Sequence, residues 1–478
     1  MLFNSYIYLF FFLPLMVLGY FMLNRGRMIL PAKGYLVVGS LAFYSWWNWT
    51  YLPLILLSVF FNYSLGTVLC PERREVRVSR KCLLAVGIAL NVGALGYFKY
   101  SDFFIENCNL WFGSQIPLLE LALPLAISFF TFQQIAYLVD SYSGQTREYD
   151  FLNYSLFVTF FPQLIAGPIV HHKEMMGQFI GARGKLLNWR NCYYGLFILS
   201  LGLFKKVFIA DTFAEWASAG FSASAQLSLV EAWCASLSYT MQIYFDFSGY
   251  TDMAIGSALF FNIKLPRNFN SPYMALSIQD FWRRWHMTLS RWLRDYVYIP
   301  LGGNRGTTAK VSIHLLLTFL IGGLWHGAGW TFLMWGTLHG FACVVFLLWS
   351  RQSLRLPKLL AWALTFLFVN ITWVFFRADD WAQAMNVLHA MFAFQNLTPE
   401  ILMGLTDVPI DNVMDRGEFQ ELFPWILVFV LVSVFGKNSN TVMEWRLPVK
   451  LGVPLSIVLF LLGSPDLSQV SEFLYFNF

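Results

Sequence analysis

Charged side chains are scarce in this sequence. Asp, Glu, Lys and Arg together make up 12% of the 478 residues, whereas a soluble globular chain carries about 25%. Hydrophobic residues account for 57% and aromatic residues for 19%, which argues against an ordinary soluble domain. The formal net charge of +5 is small, and we expect no nucleic-acid partner. The composition predicts a protein that lies in the lipid bilayer and crosses it several times.

Cysteine is also sparse, and its spacing excludes the usual thiol chemistry. The six cysteines form no CxxC pair, and none belongs to a cluster with histidine. A disulfide framework or a zinc site is therefore not expected, and we predict that the chain holds no metal and no bound cofactor. A Walker A loop and a GxSxG nucleophile elbow are missing as well, which argues against NTP hydrolysis and against a serine hydrolase.

Long apolar stretches dominate the chain instead. Because about 20 apolar residues span the hydrocarbon core, they predict an all-α polytopic membrane protein of about 11–13 transmembrane helices, with re-entrant and interfacial helices in addition. We expect a single membrane domain over residues 1–478. The twelve candidate crossings lie at about 5–23, 34–49, 51–69, 82–98, 118–139, 192–210, 228–245, 311–330, 332–349, 359–377, 424–436 and 450–463.

The charges on the connecting segments predict the orientation of these crossings. Lys and Arg outnumber acids in six segments, which the positive-inside rule assigns to the cytoplasm. Acids predominate in 378–423 and in the tail 464–478, so both are predicted to be extracytoplasmic, as are the two termini. The apolar stretch 151–170 would reverse this alternation if it crossed, and its prolines break a helix, so we predict a re-entrant element. The six basic segments are 24–33, 71–81, 171–191, 264–310, 351–358 and 437–450.

Segment 246–310 is too polar to face lipid along its length. We predict a cytoplasmic or re-entrant segment that contains a helix over 280–296, with Trp285, Leu289 and Trp292 on one face. Two interpretations of its arginines stay open. They extend from a surface helix into the headgroup region, or they bind a polyanionic phosphate ligand from the cytosol. These arginines are Arg283, Arg284, Arg291, Arg294 and Arg305.

His326 stands apart from the other six histidines. It lies inside the apolar stretch 316–340, beside Trp325 and among several glycines. An ionisable residue in a membrane segment is costly and marks a candidate functional site. A neutral imidazole is also a suitable general base for a hydroxyl that attacks an acyl group.

The other histidines have weaker claims to a catalytic role. His286 lies in the predicted 280–296 helix, where a structural role is at least as plausible as a catalytic one. We expect His171 and His172 to be solvated, and His314 and His339 to pack or form hydrogen bonds. His389 has no evident partner in the sequence.

Two further polar residues are candidates for substrate binding. Asp246, in YFDFSGYTDMAIG (244–256), is suited to binding a polar substrate or orienting a histidine, and capping of a broken helix explains it equally well. Asn304 lies in LGGNRG (301–306), whose backbone N–H groups are able to face an anion, although a Gly-Gly turn is a weak signal.

Several motifs, in order along the chain, resemble those of the membrane-bound O-acyltransferase (MBOAT) superfamily. The resemblance is to the bacterial branch that acetylates alginate and peptidoglycan and transfers D-alanine to lipoteichoic acid, and is strongest to the alginate O-acetyltransferase type. The motifs are LPLAISFFTFQQIAYLVD (123–140), FFPQLIAGPI (160–169), GLFKKVFIAD (202–211), YFDFSGYTDMAIG (244–256), FWRRWHMTLSRWLRDYVYIPLGGNRG (281–306), GGLWHGAGWTFLMWGTLHG (322–340) and WVFFRA (373–378).

This resemblance implies a membrane acetyltransferase in the bacterial inner membrane. Acetyl-CoA would enter from the cytoplasm, and the acetyl group would pass to a hydroxyl of an extracytoplasmic polysaccharide, with the help of an SGNH-hydrolase-like partner. His326 would be the general base and His286 a second catalytic residue, while the arginines, Asn304, Asp246 and Trp325 would contact substrate. An alginate-like acceptor is expected first, with peptidoglycan or cellulose as alternatives. A glycan transporter or flippase is the alternative from another class.

Overall fold

The computed structural model describes residues 1–71, 79–146, 150–222, 227–352, 355–394, 416–444, 448–464 and 473–474. These residues are predominantly helical and include no β-strand, which confirms the predicted all-α class. The helices are α1 (Ile7–Arg25), α2 (Ile29–Ser45), α3 (Trp49–Leu69), α4 (Arg80–Phe112), α5 (Ile127–Tyr142), α6 (Phe151–Thr159), α7 (Phe161–Leu164), α8 (His172–Ile180), α9 (Trp189–Leu203), α10 (Asp211–Gly220), α11 (Leu229–Phe260), α12 (Ile278–Trp282), α13 (Met287–Leu293), α14 (Ile299–Leu301), α15 (Thr308–His326), α16 (Trp330–Trp349), α17 (Lys358–Arg377), α18 (Trp381–Met391), α19 (Arg416–Phe435), α20 (Ser439–Glu444) and α21 (Val449–Leu462).

Six of the described helices are long and apolar enough to cross a membrane, namely α1, α3, α4, α15, α16 and α17. The chain is therefore a multi-pass membrane protein, as its composition predicted. Other predicted crossings form shorter helices. α2 and α5 have 17 and 16 residues, fewer than the roughly 20 of a straight crossing.

Proline explains where two apolar stretches depart from one continuous helix. The predicted crossing 118–139 is helical only from Ile127, because Pro124 has no N–H to donate and restricts the residue before it. In the stretch 151–170, α6 has nine residues and ends at Thr159, and Pro162 follows in the next short helix, α7. At 1.5 Å per residue α6 is about 14 Å long, so it does not cross as a helix, in keeping with a re-entrant element.

The described residues group into two compact units, each made of separate stretches of chain. The first comprises Met1–Phe204, Gly249–Arg267 and Arg446–Phe478, and the second comprises Lys205–Ser248 and Asn268–Trp445. In the first unit α1 packs on α2, α5 packs on α3 and α4, and α9 packs on α21. An aromatic cluster that includes Phe3, Tyr8 and Phe43 forms part of its core.

The second unit is built around the antiparallel hairpin of α15 and α16. The two backbones approach closely at Gly323 and Gly336. A Cβ atom at Gly323 would lie 2.5 Å from the carbonyl oxygen of Phe332, and one at Gly336 would lie 2.5 Å from that of Phe319. Small residues permit such close helix pairing in membranes, so the glycines near His326 serve the packing of this hairpin.

Five charged segments that were used to predict the orientation lie partly outside the described residues. They are the basic connections 71–81, 351–358 and 437–450, the acidic segment 378–423 and the tail 464–478, of which 72–78, 353–354, 445–447, 395–415, 465–472 and 475–478 are not described.

Candidate active site

His326 is the last residue of α15, whereas the sequence had placed it within a crossing that ran to residue 330. The helix ends because Gly327 is extended, with φ −161° and ψ 154°, and leads through Ala328 to Gly329 and the start of α16. His326 nevertheless remains 2% exposed. The histidine therefore lies at the closed end of a membrane hairpin, beneath its Gly-Ala-Gly connection.

Aromatic rings surround the His326 imidazole. Trp335 of α16 and Phe376 of α17 each lie with ring centroids 5.0 Å from it, at 86° and 70° to its plane. The neighbouring Trp325 ring lies 4.9 Å away. Side chains from α15, α16 and α17 thus enclose the imidazole in an apolar environment.

The predicted continuous helix over 280–296 is wrong, because the helix is interrupted before His286. α12 ends at Trp282, and α13 begins at Met287. His286 has φ 41° and ψ 52°, a left-handed conformation that costs energy for a residue with a side chain. Backbone hydrogen bonds support the break, since Met287 N–H donates to Asn268 and Asn270 N–H donates to Arg284.

Asn268 determines which nitrogen of His286 carries its proton. The Oδ1 atom of Asn268 accepts hydrogen bonds from the backbone N–H and the hydroxyl of Thr288, which identifies it as the oxygen. His286 Nδ1 lies 3.1 Å from the same atom and therefore donates. The lone pair of the neutral ring is then on Nε2. Complete burial lowers the pKa of His286 to about 3, so the ring is neutral at physiological pH.

Trp325 lies between the two histidines. Its ring centroid is 6.1 Å from that of His286 and 4.9 Å from that of His326. The three side chains are buried in the second unit. The structure thus brings together the two candidate catalytic histidines, His326 and His286, and the candidate substrate contact Trp325.

A cavity of about 750 Å³ lies between the arginine-rich segment and the hairpin. Three of the five predicted arginines, Arg283, Arg291 and Arg294, line it, together with Asn304. Its apolar wall comes from α15 and α16. Phe319 is the lining residue on α15 nearest to His326, and the step of seven residues from one to the other corresponds to a rise of about 10 Å along the helix.

The remaining arginines lie elsewhere. Arg284 Nε is 2.8 Å from Asp280 Oδ1, one helical turn earlier, and its Nη1 donates to the carbonyl of Asn270. Arg305 is exposed on the turn after α14. Arg294, by contrast, lines the cavity, and it donates hydrogen bonds to both carboxylate oxygens of Asp295, which raise the pKa of its guanidinium.

The loop beside the cavity depends on glycine. Gly302 has φ 125° and Gly303 has φ 56°, a region that residues with side chains rarely adopt. The ring of His314 donates from Nδ1 to the carbonyl of Gly303 at 3.0 Å, and the Tyr298 hydroxyl donates to Asn304 Oδ1 at 2.7 Å. These contacts fix Asn304 at the rim of the cavity.

Asp246 forms a buried ion pair, which neither interpretation of the sequence anticipated. α11 continues unbroken from Leu229 to Phe260, so Asp246 lies inside a helix and caps nothing. Its carboxylate is 2.8 Å from Lys206 Nζ, and that ammonium is also 2.6 Å from Asp211. Asp246 and Lys206 are 1% and 3% exposed, so an ionised partner is needed to offset their desolvation.

Of two other histidines, one departs from its sequence prediction and one agrees with it. His172 is buried against Tyr137 and Phe157, so the prediction that it is solvated is wrong. His339 confirms the expected hydrogen-bonding role. Its Nδ1 accepts from Trp282 Nε1–H at 3.2 Å, and its Nε2 lies 3.0 Å from Thr372 Oγ1.

No group of three His, Cys, Asp or Glu side chains able to hold a metal occurs in the part of the chain that the structure describes. The fold and the site together define a helical, multi-pass membrane protein. In its second unit, the aromatic rings that surround a histidine reach the wall of a basic cavity. Such a protein holds a buried histidine and an arginine-lined cavity within one compact unit.

The chain belongs to the membrane-bound O-acyltransferase family (MBOAT), whose sequence profile matches residues 6–379. It is therefore an acyltransferase. It is 46% identical to a peptidoglycan O-acetyltransferase from Helicobacter pylori over 520 aligned positions, which cover 100% of this chain and 98% of that protein. It is 40% identical to the probable alginate O-acetylase AlgI from Pseudomonas aeruginosa over 401 positions, 82% of this chain and 75% of that protein. A teichoic acid D-alanyltransferase from Bacillus subtilis is 30% identical over 263 positions, 51% of this chain and 66% of that protein.

Proposed function

We propose that this protein transfers an acetyl group from acetyl-CoA to hydroxyl groups of peptidoglycan. The observation that carries the proposal is the basic cavity, whose aromatic wall contacts the rings around His326. Trp282 lines the cavity and lies 5.7 Å from Trp335, which in turn lies 5.0 Å from His326. Two aromatic rings therefore connect the cavity wall with the candidate base.

The lining of the cavity suits a coenzyme A thioester as the acyl donor. Arg283, Arg291 and Arg294 offer guanidinium groups, which match phosphate oxygens in charge and geometry. The opposite wall of α15 and α16 is apolar and suits the pantetheine arm. A volume of about 750 Å³ is within the usual range of small-molecule sites.

The proposed chemistry assigns the general base to His326. The acceptor hydroxyl attacks the thioester carbonyl while the imidazole takes its proton, the carbon–sulfur bond then breaks, and the proton passes to the departing thiolate. The products are an O-acetyl ester and coenzyme A. His286 is a supporting group, whose ring is held in one orientation by Asn268.

Peptidoglycan is preferred here over an alginate-like polymer as the acceptor. The similarity to the peptidoglycan enzyme extends over nearly the whole of both chains, whereas the similarity to alginate O-acetylases covers 75% of the protein from Pseudomonas aeruginosa. We place the donor cavity on the cytoplasmic side, where acetyl-CoA occurs, and both termini outside. An SGNH-hydrolase-like protein is the proposed partner on the outer side, in the inner membrane of a bacterium.

Deleting the gene for this chain from its native bacterium tests the acceptor. Base-labile acetate is measured on purified peptidoglycan and, separately, on exopolysaccharide. We expect the acetate on peptidoglycan to disappear and to return when the intact gene is restored, while the exopolysaccharide is unchanged.

Two other results would change the assignment. Loss of acetate from exopolysaccharide alone would indicate that the acceptor is an alginate-like polymer and not peptidoglycan. Unchanged acetate on both polymers would contradict the proposal that this protein supports acetyl transfer to a glycan.

A further inference from the structure

Trp282 occupies a distinctive position in the second unit. The residue is 9% exposed and lines the cavity, and its indole packs on Phe319, Trp335 and His339 at centroid distances of 5.1, 5.7 and 5.3 Å. The indole thus forms the cavity wall on the side of the rings that surround His326.

A chain of hydrogen bonds fixes the indole in this position. An indole N–H can only donate, so His339 Nδ1 accepts from Trp282 and the His339 proton is on Nε2. That proton is donated to Thr372 Oγ1 at 3.0 Å, and the Thr372 hydroxyl donates onward to the carbonyl of Val369 at 2.8 Å. Each donor in the chain has an acceptor, with Trp282 at one end and the α17 backbone at the other.

The residues that form these hydrogen bonds lie where water is excluded. His339 and Thr372 are both 0% exposed. Breaking one bond would leave a buried polar group without its partner, which is costly. The indole is consequently held more firmly than packing alone would hold it.

We propose that Trp282, positioned by His339, limits the acyl group of the donor to a short chain. This inference rests on the proposed use of an acyl-CoA donor. In the cavity, the thioester end must approach His326 past Trp282 and Phe319, and the fixed indole leaves the space beside it unavailable to additional methylene groups. His339 acts only through Trp282 and is a positioning residue.

The test compares acetyl-CoA and butyryl-CoA as donors for the purified full-length protein in nanodiscs, with soluble peptidoglycan fragments as the acceptor and coenzyme A release as the readout. The wild-type protein is expected to prefer acetyl-CoA in kcat/KM. Trp282→Leu should reduce this preference at least tenfold, since each methylene group that a pocket accepts or rejects changes kcat/KM by roughly 10–200-fold. Trp282→Phe keeps most of the bulk and should change the preference less.

Substitution of His339 separates positioning from simple structural support. His339→Phe removes the acceptor for the indole and should relax the preference in the same direction as Trp282→Leu. His339→Gln can both accept and donate, and it should restore the wild-type preference. Trp362→Leu is the matched control, because its indole also donates to a buried backbone carbonyl, that of Tyr273, but does not line the cavity.

The outcomes separate this inference from the proposed function. If the wild-type protein consumes neither thioester, the acyl-CoA donor itself is wrong. If it consumes acetyl-CoA and the ratio stays at the wild-type value in Trp282→Leu and His339→Phe, the role of Trp282 is refuted. Should Trp282→Leu fail to fold, the His339 pair and Trp282→Phe still decide the matter, because unchanged ratios in both His339→Phe and Trp282→Phe would refute it.

Discussion

At the scale of single residues, burial and hydrogen bonding distinguish the histidines better than their position in the sequence does. His326, His286 and His339 are all buried, yet their surroundings differ. Aromatic rings enclose His326, Asn268 holds His286, and His339 links Trp282 to Thr372. Of the three, His326, at the end of α15, is the one to which the proposed reaction assigns proton transfer.

The arginines provide a test of the donor site. Replacing Arg283 or Arg291 by Gln should raise the KM for acetyl-CoA about tenfold with little change in kcat, because loss of one charge-assisted contact of about 1.5 kcal/mol corresponds to roughly a factor of ten. Steady-state kinetics of coenzyme A release measure the effect. Arg305→Gln is the matched control, since Arg305 is exposed and does not line the cavity. Equal KM values in all three variants would argue against a phosphate-binding role.

Sequence reasoning predicted His326, with its neighbour Trp325, and the arginine-rich segment as candidates, because ionisable residues are unusual in an apolar chain. It could not identify the pairing of Lys206 with Asp246, which are 40 residues apart and meet through the packing of separate helices. The Trp282–His339–Thr372 chain was hidden for the same reason. Its members lie on α12, α16 and α17, and no local spacing predicts their hydrogen bonds.

At the scale of helices, the α15–α16 hairpin positions His326. Residues from α12, α13 and α17 pack around this hairpin, and its glycines allow the close approach of the two backbones. The prediction of one continuous helix over 280–296 failed at the level of helix packing. Periodicity indicated a helix, but tertiary hydrogen bonds to the segment 268–270 favour a break at His286.

The hairpin packing predicts a clear effect of a single methyl group. Gly336→Ala places a Cβ atom 2.5 Å from the Phe319 carbonyl oxygen and 3.2 Å from the Gly323 Cα. Overpacking of this kind costs about 1–3 kcal/mol, so thermal unfolding in detergent should occur at a lower temperature. Gly93→Ala is the control, because a Cβ atom at Gly93 meets nothing within 4 Å in α4. Similar unfolding temperatures for both variants would contradict the close packing.

At the scale of the whole molecule, composition was sufficient to predict a helical, multi-pass membrane protein. The number and limits of the crossings were harder to predict, because hydropathy does not register prolines that interrupt a helix, as at Pro124, or helices that continue through polar residues. α11 illustrates the second case, since it runs through Asp246 and Asp252 without a break. Buried ion pairing at Asp246 makes that continuation possible.

The central claim is that His326 is the base for acetyl transfer, and one measurement tests it most directly. Purified full-length protein in nanodiscs is incubated with acetyl-CoA labelled in the acetyl group and with soluble peptidoglycan fragments, and labelled O-acetyl ester is measured. We predict that His326→Ala lowers the rate by about 10²–10⁴, as for loss of a general base, while His389→Ala, at an exposed position outside the arginine-lined cavity, keeps the wild-type rate. A His326→Ala protein that transfers acetyl at the wild-type rate would contradict the account.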